Sequence, residues 1–147
     1  MRITRARLSD TRPLALILKA WIRETSWMPK LYTEQEDMRF IRRLIQDNDV
    51  SVLRGWGGVK AFLARDGEMI HALYCAPRAR GYGYGAQLLA GAKARSNKLQ
   101  LWCFQENSGA RAFYAREGFV EVEETDGGGN DEKLPDVRLV WERGNDG

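Results

Sequence analysis

The residues that best combine type and spacing for chemistry lie in one glycine-rich loop, residues 80–85. Arg80 opens the loop, and Gly81, Gly83 and Gly85 alternate with other residues between an apolar run and a helical pattern. Such a loop aims several backbone N–H groups at one anion, and the dipole of the following helix adds to the attraction. Because glycine has no Cβ, the backbone can approach a ligand closely. The pattern indicates a phosphate-binding loop, although a glycine-rich turn without a ligand could have the same sequence.

Composition limits the classes of protein to which this chain can belong. Its 147 residues are 44% hydrophobic and 29% charged, which predicts one globular domain over residues 1–147. The net charge of +3 suits a phosphate-bearing partner, but the basic residues form no long run, so we expect no nucleic-acid binding. No stretch is apolar enough to span a bilayer, and the N-terminus lacks a signal core. We expect no membrane association, a cytoplasmic location and, as an open alternative to a monomer, a homodimer.

The two cysteines predict packing rather than disulfide or metal chemistry. Cys75 and Cys103 each lie within an apolar run typical of a strand. Neither a disulfide framework nor the spacing of metal ligands is present. We therefore expect two buried thiols that act as small hydrophobic groups, and no metal site.

Hydrophobic periodicity predicts the elements that position the loop. A strand at residues 3–7 precedes a helix capped by Ser9 or Asp10, and Thr33 caps a second helix with Glu36 three residues on. The period then becomes extended and predicts three antiparallel strands. These strands are residues 50–55, 59–65 and 68–76.

The glycine loop and its helix follow, and an apolar strand at residues 98–104 comes next. This order is a crossover connection, so the fourth and fifth strands should be parallel. Asn107 or Ser108 caps a further helix that stops at Gly118, and two strands around a polar loop complete the pattern. The prediction is an α/β fold with a mixed, mostly antiparallel sheet of about seven strands flanked by about four helices.

Two stretches together resemble the GNAT superfamily of N-acetyltransferases. The run LYCAPRARGYGYGAQLL is similar to the acetyl-CoA-binding motif of that family, with Arg80, Gly83 and Gly85 in the motif positions. The run LQLWCFQENSGARAFYAREGF is similar to the strand and helix that follow in the family. Its matching residues are Asn107, Phe113, Tyr114, Gly118 and Phe119. The tail from Glu124 resembles that of bacterial members.

The resemblance implies a GNAT-like fold in which the parallel fourth and fifth strands splay apart. It implies acetyl-CoA as co-substrate, and transfer of an acetyl group to a primary amine of a small molecule or peptide. The amine would attack directly in a ternary complex of protein and both substrates.

The resemblance also implies where the cofactor binds. Backbone groups in the fourth strand would pair with the pantetheine arm as an added strand does, and the loop N–H groups would meet the pyrophosphate. The Arg80 side chain would neutralise a phosphate or fix the loop, and Asn107 would bond a pantetheine amide or only cap its helix. The predicted set is Leu73, Tyr74, Cys75, Arg80, Gly81, Tyr82, Gly83, Tyr84, Gly85, Ala86 and Asn107.

The family analogy makes Tyr114 the donor of a proton to the coenzyme A sulfur, although Tyr114 could equally pack in the buried face of its helix. His71 is the only histidine and lies in the strand that leads to the cleft, so it is a candidate general base. A strand histidine can also be a half-buried packing residue. Glu24, Glu68 and Glu106 are alternatives that would act through water.

The first two helices and the last hairpin loop should form the pocket for the acceptor amine. The candidate substrate contacts are therefore Trp21, Trp27, Tyr32 and the loop at residues 126–131. Trp21 lies at helical spacing among apolar residues, which is typical of the core, so we favour a core position for it.

Two other functions remain open at this point. Gly81, Gly83 and Ala86 also satisfy GxGxxA, and Glu106 follows about 20 residues later, as in a Rossmann-type dinucleotide enzyme. Against this, the loop lies past mid-chain, after antiparallel hairpins, and one crossover unit is available. The second alternative is a non-catalytic acetyl-CoA-binding sensor or partner-binding module. Tyr114 argues mildly against it, because a pure binder needs no acid there.

Overall fold

The computed structural model describes residues 2–144, so Met1 and residues 145–147 of the predicted domain lie outside the described residues. The strands are β1 (Arg2–Arg5), β2 (Asp49–Gly55), β3 (Gly58–Asp66), β4 (Met69–Cys75), β5 (Lys98–Phe104), β6 (Val120–Thr125) and β7 (Asp136–Glu142). The helices are α1 (Thr11–Glu24), α2 (Glu34–Asp47), α3 (Tyr84–Ala94) and α4 (Ser108–Arg116).

The strands form one seven-stranded sheet in the order β1-β2-β3-β4-β5-β7-β6. Within residues 2–144, β4 and β5 are the parallel pair and every other neighbouring pair is antiparallel. The predicted mixed sheet, its parallel central pair and its four helices are confirmed. None of the helices in this part of the chain is long and apolar enough to cross a membrane.

Helices cover the sheet on both faces because each carries one apolar side. On one face, α1 and α2 pack over β2, β3 and β4, and they bury Leu14, Ile41 and Phe62 almost completely. On the other face, α3 packs over β2, β3 and β4, and Leu89 of α3, Tyr114 of α4 and Leu139 of β7 belong to one apolar cluster. Strand β4 contributes to the apolar clusters on both faces, whereas β5 contributes to the second.

A β-bulge in β4 coincides with the end of the parallel pairing. Ala72 pairs with Ala64 of β3 and Ile70 pairs with Arg65, which leaves His71 between them without a partner. The pairing of β4 with β5 ends at Ile70, opposite Leu101. A bulge bends the strand that carries it and increases its twist, so the two strands diverge from this point. The expected splay between the fourth and fifth strands is therefore present.

The N-terminal segment differs from its prediction. The first strand ends at Arg5 rather than at residue 7, and a short 3-10 turn leads into α1. Asp10 occupies the N-cap position, but its carboxylate makes no capping bond. It accepts instead from the Arg7 backbone N–H at 2.8 Å and from two nitrogens of Arg54. The hydrogen bond from Arg54 lowers the pKa of Asp10, so this carboxylate ties α1 to β2 rather than capping the helix.

The start of α2 is as predicted. Thr33 Oγ1 accepts from the Glu36 N–H at 3.1 Å, and Glu36 Oε1 accepts from the Thr33 N–H at 3.0 Å. This reciprocal capping box satisfies two donors at the helix terminus. The Glu36 carboxylate is therefore already engaged in a hydrogen bond at the start of its own helix.

Candidate active site

The glycine loop lies at the N-terminus of α3, where its backbone needs glycine at two positions. Gly81 has φ +85° and Gly83, the N-cap of α3, has φ +79°, in the left-handed region that side chains disfavour. Within residues 2–144, no backbone carbonyl accepts from the N–H groups of residues 80–86. Apart from the Gly85 N–H, which bonds to the Cys75 sulfur, these donors are the unsatisfied groups of a helix N-terminus and its loop, so they are available to an anion.

Gly85 lets the loop pack closely against both α4 and β4. A Cβ at this position would lie 3.5 Å from the Phe113 ring and 3.9 Å from the Cys75 sulfur. Burial raises the pKa of the Cys75 thiol, while the Gly85 N–H and the Arg80 charge act in the opposite direction. Cys75 is half-buried at the site rather than buried in the core, as the sequence had suggested, whereas Cys103 is buried.

The Arg80 side chain turns away from its own loop. Its guanidinium pairs with the Glu24 carboxylate at the end of α1, and both side chains are exposed. Tyr82 and Tyr84 stack beside it with ring centroids 5.6 Å apart. Arg80 thus holds the loop to α1, and a bound phosphate would compete with Glu24 for its guanidinium.

The edge of β4 beyond the bulge is open towards β5. Leu73 and Cys75 pair with β3, but past Ile70 the structure has no pairing between β4 and β5 in the described residues. Backbone groups on an open strand edge bind an extended, amide-rich chain as an added strand. Leu73, Tyr74 and Cys75 therefore fit the predicted place for a pantetheine arm.

Tyr114 lies buried on α4 at the other side of this opening. Its ring packs against Phe113 and Phe119, with centroids 5.1 and 5.4 Å away. Burial, and the nearby Cys103, raise the pKa of Tyr114 above its usual value, so its hydroxyl keeps its proton at neutral pH. No group within residues 2–144 hydrogen-bonds that hydroxyl, which leaves it available as a donor.

Asn107 performs the simpler of its two predicted roles. It is the N-cap of α4, and its Oδ1 accepts from the Ala110 N–H at 3.1 Å. Its amide nitrogen has no partner in the described part of the chain, so a bond to a pantetheine amide remains a prediction.

On the α1 face, four aromatic rings connect the diverging strands. Trp21 contacts Tyr74 of β4 at 5.4 Å and Trp27 at 6.0 Å, and Trp27 contacts Phe104 of β5 at 5.7 Å between ring centroids. Trp27 lies beside the splay because the irregular segment after α1 folds back over the sheet. It was predicted to contact the substrate, but it is not among the residues that line the cavity on this face. Through these contacts, α1 and the segment after it reach the ends of both strands on this face.

A cavity of about 810 Å³ lies over these rings, between α1, α2 and the loop that joins β6 to β7. Tyr74 and Phe104 line its inner end, and Tyr32 lines it as predicted. Trp21 also lines it and is half-buried, so of its two predicted positions the structure favours the cavity wall over the core. This is where the sequence placed the acceptor pocket.

The loop between β6 and β7 reaches the cavity through residues 131 and 132. Tyr32 Oη donates a 2.8 Å hydrogen bond to Asp131, which lies within the predicted contact loop. Glu132 lines the cavity too, one residue beyond the predicted range. The sequence signal for Glu132 was weak, because it is one of several acidic residues in a polar loop.

The predicted base candidates lie elsewhere. His71 is exposed on the bulge of β4, Glu24 pairs with Arg80, and Glu68 accepts from the Gln100 amide at 2.8 Å. Glu106 is exposed after β5. None of these four residues is among those that line the cavity. Within residues 2–144, no group of three or more histidine, cysteine or acidic side chains could hold a metal ion.

Residues 40–121 match the family described as the acetyltransferase (GNAT) domain, and this stretch is more than half of the chain. The protein belongs to the GNAT acetyltransferase family. Members of this family are acyltransferases that use acetyl-CoA as co-substrate. No functionally curated protein matches the sequence.

Solved structures share the fold at low sequence identity. The apo form of YjaB from Escherichia coli is 21% identical with a TM-score of 0.80, over 96% of this chain and 98% of that one. Ribosomal-protein-alanine N-acetyltransferase from Brucella melitensis is 22% identical with a TM-score of 0.72, over 97% and 99%. The yncA acetyltransferase of Salmonella typhimurium, solved with its cofactor acetyl-CoA, is 16% identical with a TM-score of 0.71, over 97% and 93%.

The residues of the site fit acetyl-CoA. The glycine loop offers free N–H donors where a pyrophosphate needs them, and the open edge of β4 offers backbone groups to the amides of pantetheine. A dinucleotide-binding fold would have a largely parallel sheet, so the antiparallel neighbours of β4 and β5 exclude that alternative.

Proposed function

We propose that this protein transfers the acetyl group of acetyl-CoA to a primary amine of a small molecule or peptide, by direct attack within a ternary complex. One observation carries the proposal: two spaces meet at the ends of β4 and β5. The open edge of β4 and Tyr114 lie on the α4 side, and the cavity that reaches Tyr74 and Phe104 lies on the α1 side. Two substrates that enter from opposite faces meet there.

Backbone groups of the protein bind acetyl-CoA, orient it and stabilise the charge that develops during the reaction. The N–H groups of residues 80–86 bind the pyrophosphate, and the backbone of Leu73, Tyr74 and Cys75 orients the pantetheine arm. Acetyl-CoA supplies the thioester whose carbonyl carbon the amine attacks. Backbone N–H groups of the open β4 edge stabilise the negative charge on the carbonyl oxygen. Holding both reactants in one geometry provides much of the acceleration.

The transfer also requires two proton movements, one from the amine and one to the coenzyme A sulfur. As the nitrogen–carbon bond forms and the carbon–sulfur bond breaks, the amine nitrogen loses a proton and the sulfur gains one. Tyr114 holds at Oη the proton that is directed to the sulfur, and its raised pKa keeps that proton in place until negative charge develops. His71 is the predicted acceptor of the amine proton, but it is exposed and outside the cavity lining.

The experiment measures free thiol released from acetyl-CoA across a panel of primary amines, with and without protein. Release above hydrolysis with at least one amine supports the transfer. Acetyl-CoA that raises the melting temperature without thiol release from any amine supports the non-catalytic binding module instead. NAD serves as the negative control for cofactor binding.

The organisation of the protein is part of the same proposal. We place a single N-acetyltransferase domain over residues 1–147 in the cytoplasm, with an amine acceptor as its partner rather than nucleic acid or a membrane. Both cysteines are free thiols, which suits a reducing compartment. Light scattering on the purified protein decides between a monomer and a homodimer.

A further inference from the structure

An amine acceptor arrives at neutral pH mostly as an ammonium ion, so the cavity needs a carboxylate to receive it. Five acidic residues line the cavity: Glu34, Glu36, Asp37, Asp131 and Glu132. Their partners within the protein decide which of them is available.

Three of these carboxylates are already engaged. Glu34 pairs with Lys19, Glu36 accepts from the Thr33 N–H, and Asp131 accepts from Tyr32. Each of the three therefore contributes to holding the walls of the cavity. A ligand that took one of them would have to break an existing hydrogen bond.

Asp37 and Glu132 remain, since neither side chain has a hydrogen bond or ion pair within residues 2–144. Asp37 lies in the first turn of α2, where burial and the neighbouring Glu36 raise its pKa. Ionisation of Asp37 is therefore less favourable than that of an exposed carboxylate, and the positive charge that acts on it belongs to Lys19.

Glu132 lines the same cavity as Tyr74. Burial raises the pKa of Tyr74 to about 12, and the Glu132 charge acts in the same direction. Tyr74 itself lies at the end of β4, in the opening where the amine must meet the thioester.

The loop around Glu132 is fixed on both sides. Asn130 Nδ2 donates to the Leu134 carbonyl at 2.8 Å, and Asn130 Oδ1 accepts from the Leu134 N–H at 3.2 Å. On the preceding residue, Asp131 is held by Tyr32. Glu132 is half-buried between these contacts, so its carboxylate is presented to the cavity without being used by the loop itself.

We propose, on the basis of the function proposed above, that Glu132 receives the ammonium group of the acceptor and that this acceptor carries its primary amine on a bulky apolar group. One ammonium proton passes to the Glu132 carboxylate, and the neutral nitrogen that remains has the lone pair needed for attack. Glu132 then returns the proton to solvent before the next acceptor binds.

The walls of the cavity argue for the apolar carrier. Leu18, Ile22, Met28, Phe40 and the ring of Trp21 line it, and its volume of about 810 Å³ is far larger than a simple alkylamine needs. Basic residues also line the cavity, among them Arg23, Arg39 and Arg43, and their charges disfavour the additional ammonium groups of a flexible polyamine. An aromatic amine such as phenethylamine would place its ring there and its ammonium towards Glu132.

Binding to the protein without acetyl-CoA tests the proposal independently of catalysis. The probes are phenethylamine and 2-phenylethanol, which differ in the charged group, and putrescine, which lacks the apolar group. The readouts are titration calorimetry and the fluorescence of the tryptophans beside the cavity. The variants are Glu132→Gln and the control Glu142→Gln, an exposed residue at the opposite end of β7 from the site.

We expect wild-type protein and Glu142→Gln to bind phenethylamine about fivefold or more tightly than 2-phenylethanol, as one partly exposed ion pair provides. Glu132→Gln should bind the two probes equally, with an unchanged melting temperature. Persistence of the preference in Glu132→Gln overturns the assignment of Glu132, and tighter binding of putrescine than phenethylamine overturns the apolar carrier. Absence of thiol release with every amine contradicts the proposed function separately, because charge-selective binding requires no transfer.

Discussion

The hydroxyl of Tyr32 donates a 2.8 Å hydrogen bond to Oδ2 of Asp131, a residue 99 positions further along the chain. The contact joins the segment between α1 and α2 to the loop between β6 and β7. Both segments line the cavity, and their contact fixes the residue next to Glu132. Removing it should loosen the acceptor site without disturbing the glycine loop.

Tyr32→Phe should therefore raise the KM for the acceptor and leave acetyl-CoA affinity unchanged. The hydrogen bond to Asp131 raises the pKa of Tyr32 above its usual value of 10.0. Below pH 10.0 the Tyr32 hydroxyl keeps the proton that it donates to Asp131, and the hydrogen bond is lost only as pH rises through the raised pKa. The ratio of the acceptor KM of Tyr32→Phe to the acceptor KM of the wild type should accordingly stay constant from about pH 6 to about pH 9. Steady-state kinetics over this range checks the prediction, and a ratio that changes below pH 9 contradicts it.

Tyr114→Phe should lower turnover by about 10²- to 10⁴-fold, because it removes the proton directed to the sulfur. The Tyr114 hydroxyl has no hydrogen-bond partner within residues 2–144, so the substitution breaks no internal bond. We expect the melting temperature and acetyl-CoA affinity to change little. Single-turnover kinetics measures the turnover, and calorimetry measures the acetyl-CoA affinity and the melting temperature. Unchanged turnover would remove Tyr114 as the proton donor.

Arg80 and Glu24 should compete with a bound phosphate, because the Arg80 guanidinium is paired in the free protein. Arg80→Gln should weaken acetyl-CoA binding by about two- to fivefold, and Glu24→Gln should strengthen it by a similar factor. Both effects should shrink at high salt, since the side chains are exposed.

The double variant provides the control for this pair. In the Arg80→Gln background, Glu24→Gln should have no effect on acetyl-CoA affinity, because no guanidinium remains to be released. Calorimetry at low and high salt measures the acetyl-CoA affinity of the wild type, the two single variants and the double variant. Weaker binding by the single variant Glu24→Gln would show that the pair supports the cofactor loop rather than competing with the phosphate.

Gly127→Ala should destabilise the loop that carries Glu132. Gly127 has φ +87°, and a Cβ there would lie 2.3 Å from the backbone of Leu134. We expect a loss of about 1–3 kcal/mol in the free energy of unfolding, together with weaker binding of phenethylamine. Gly129→Ala is the matched control, because a Cβ there meets nothing within 4 Å. Denaturant unfolding and probe binding compare the two variants, and equal behaviour contradicts the role given to Gly127.

The sequence alone was sufficient for the fold and for the position of the glycine loop, for local reasons. Gly81 and Gly83 meet backbone needs that act over a few residues, and the Thr33–Glu36 capping box is equally local. Alternating and helical periodicity determined the elements, and one crossover connection determined the parallel pair. The family resemblance then placed Asn107 and Tyr114 on the same helix.

What only the tertiary structure decided concerns groups far apart in sequence. The exposed position of His71 on a bulge, the pairing of Arg80 with Glu24 and the place of Trp21 on the cavity wall follow from how strands and helices pack. Glu132 stands out for the same reason. Its carboxylate becomes distinct from those of Glu34, Glu36 and Asp131 because Lys19, Thr33 and Tyr32 engage these three. No hydrogen bond or ion pair within residues 2–144 engages Glu132. Periodicity carries no information about such long-range pairings, since they depend on which surfaces the folded sheet brings together.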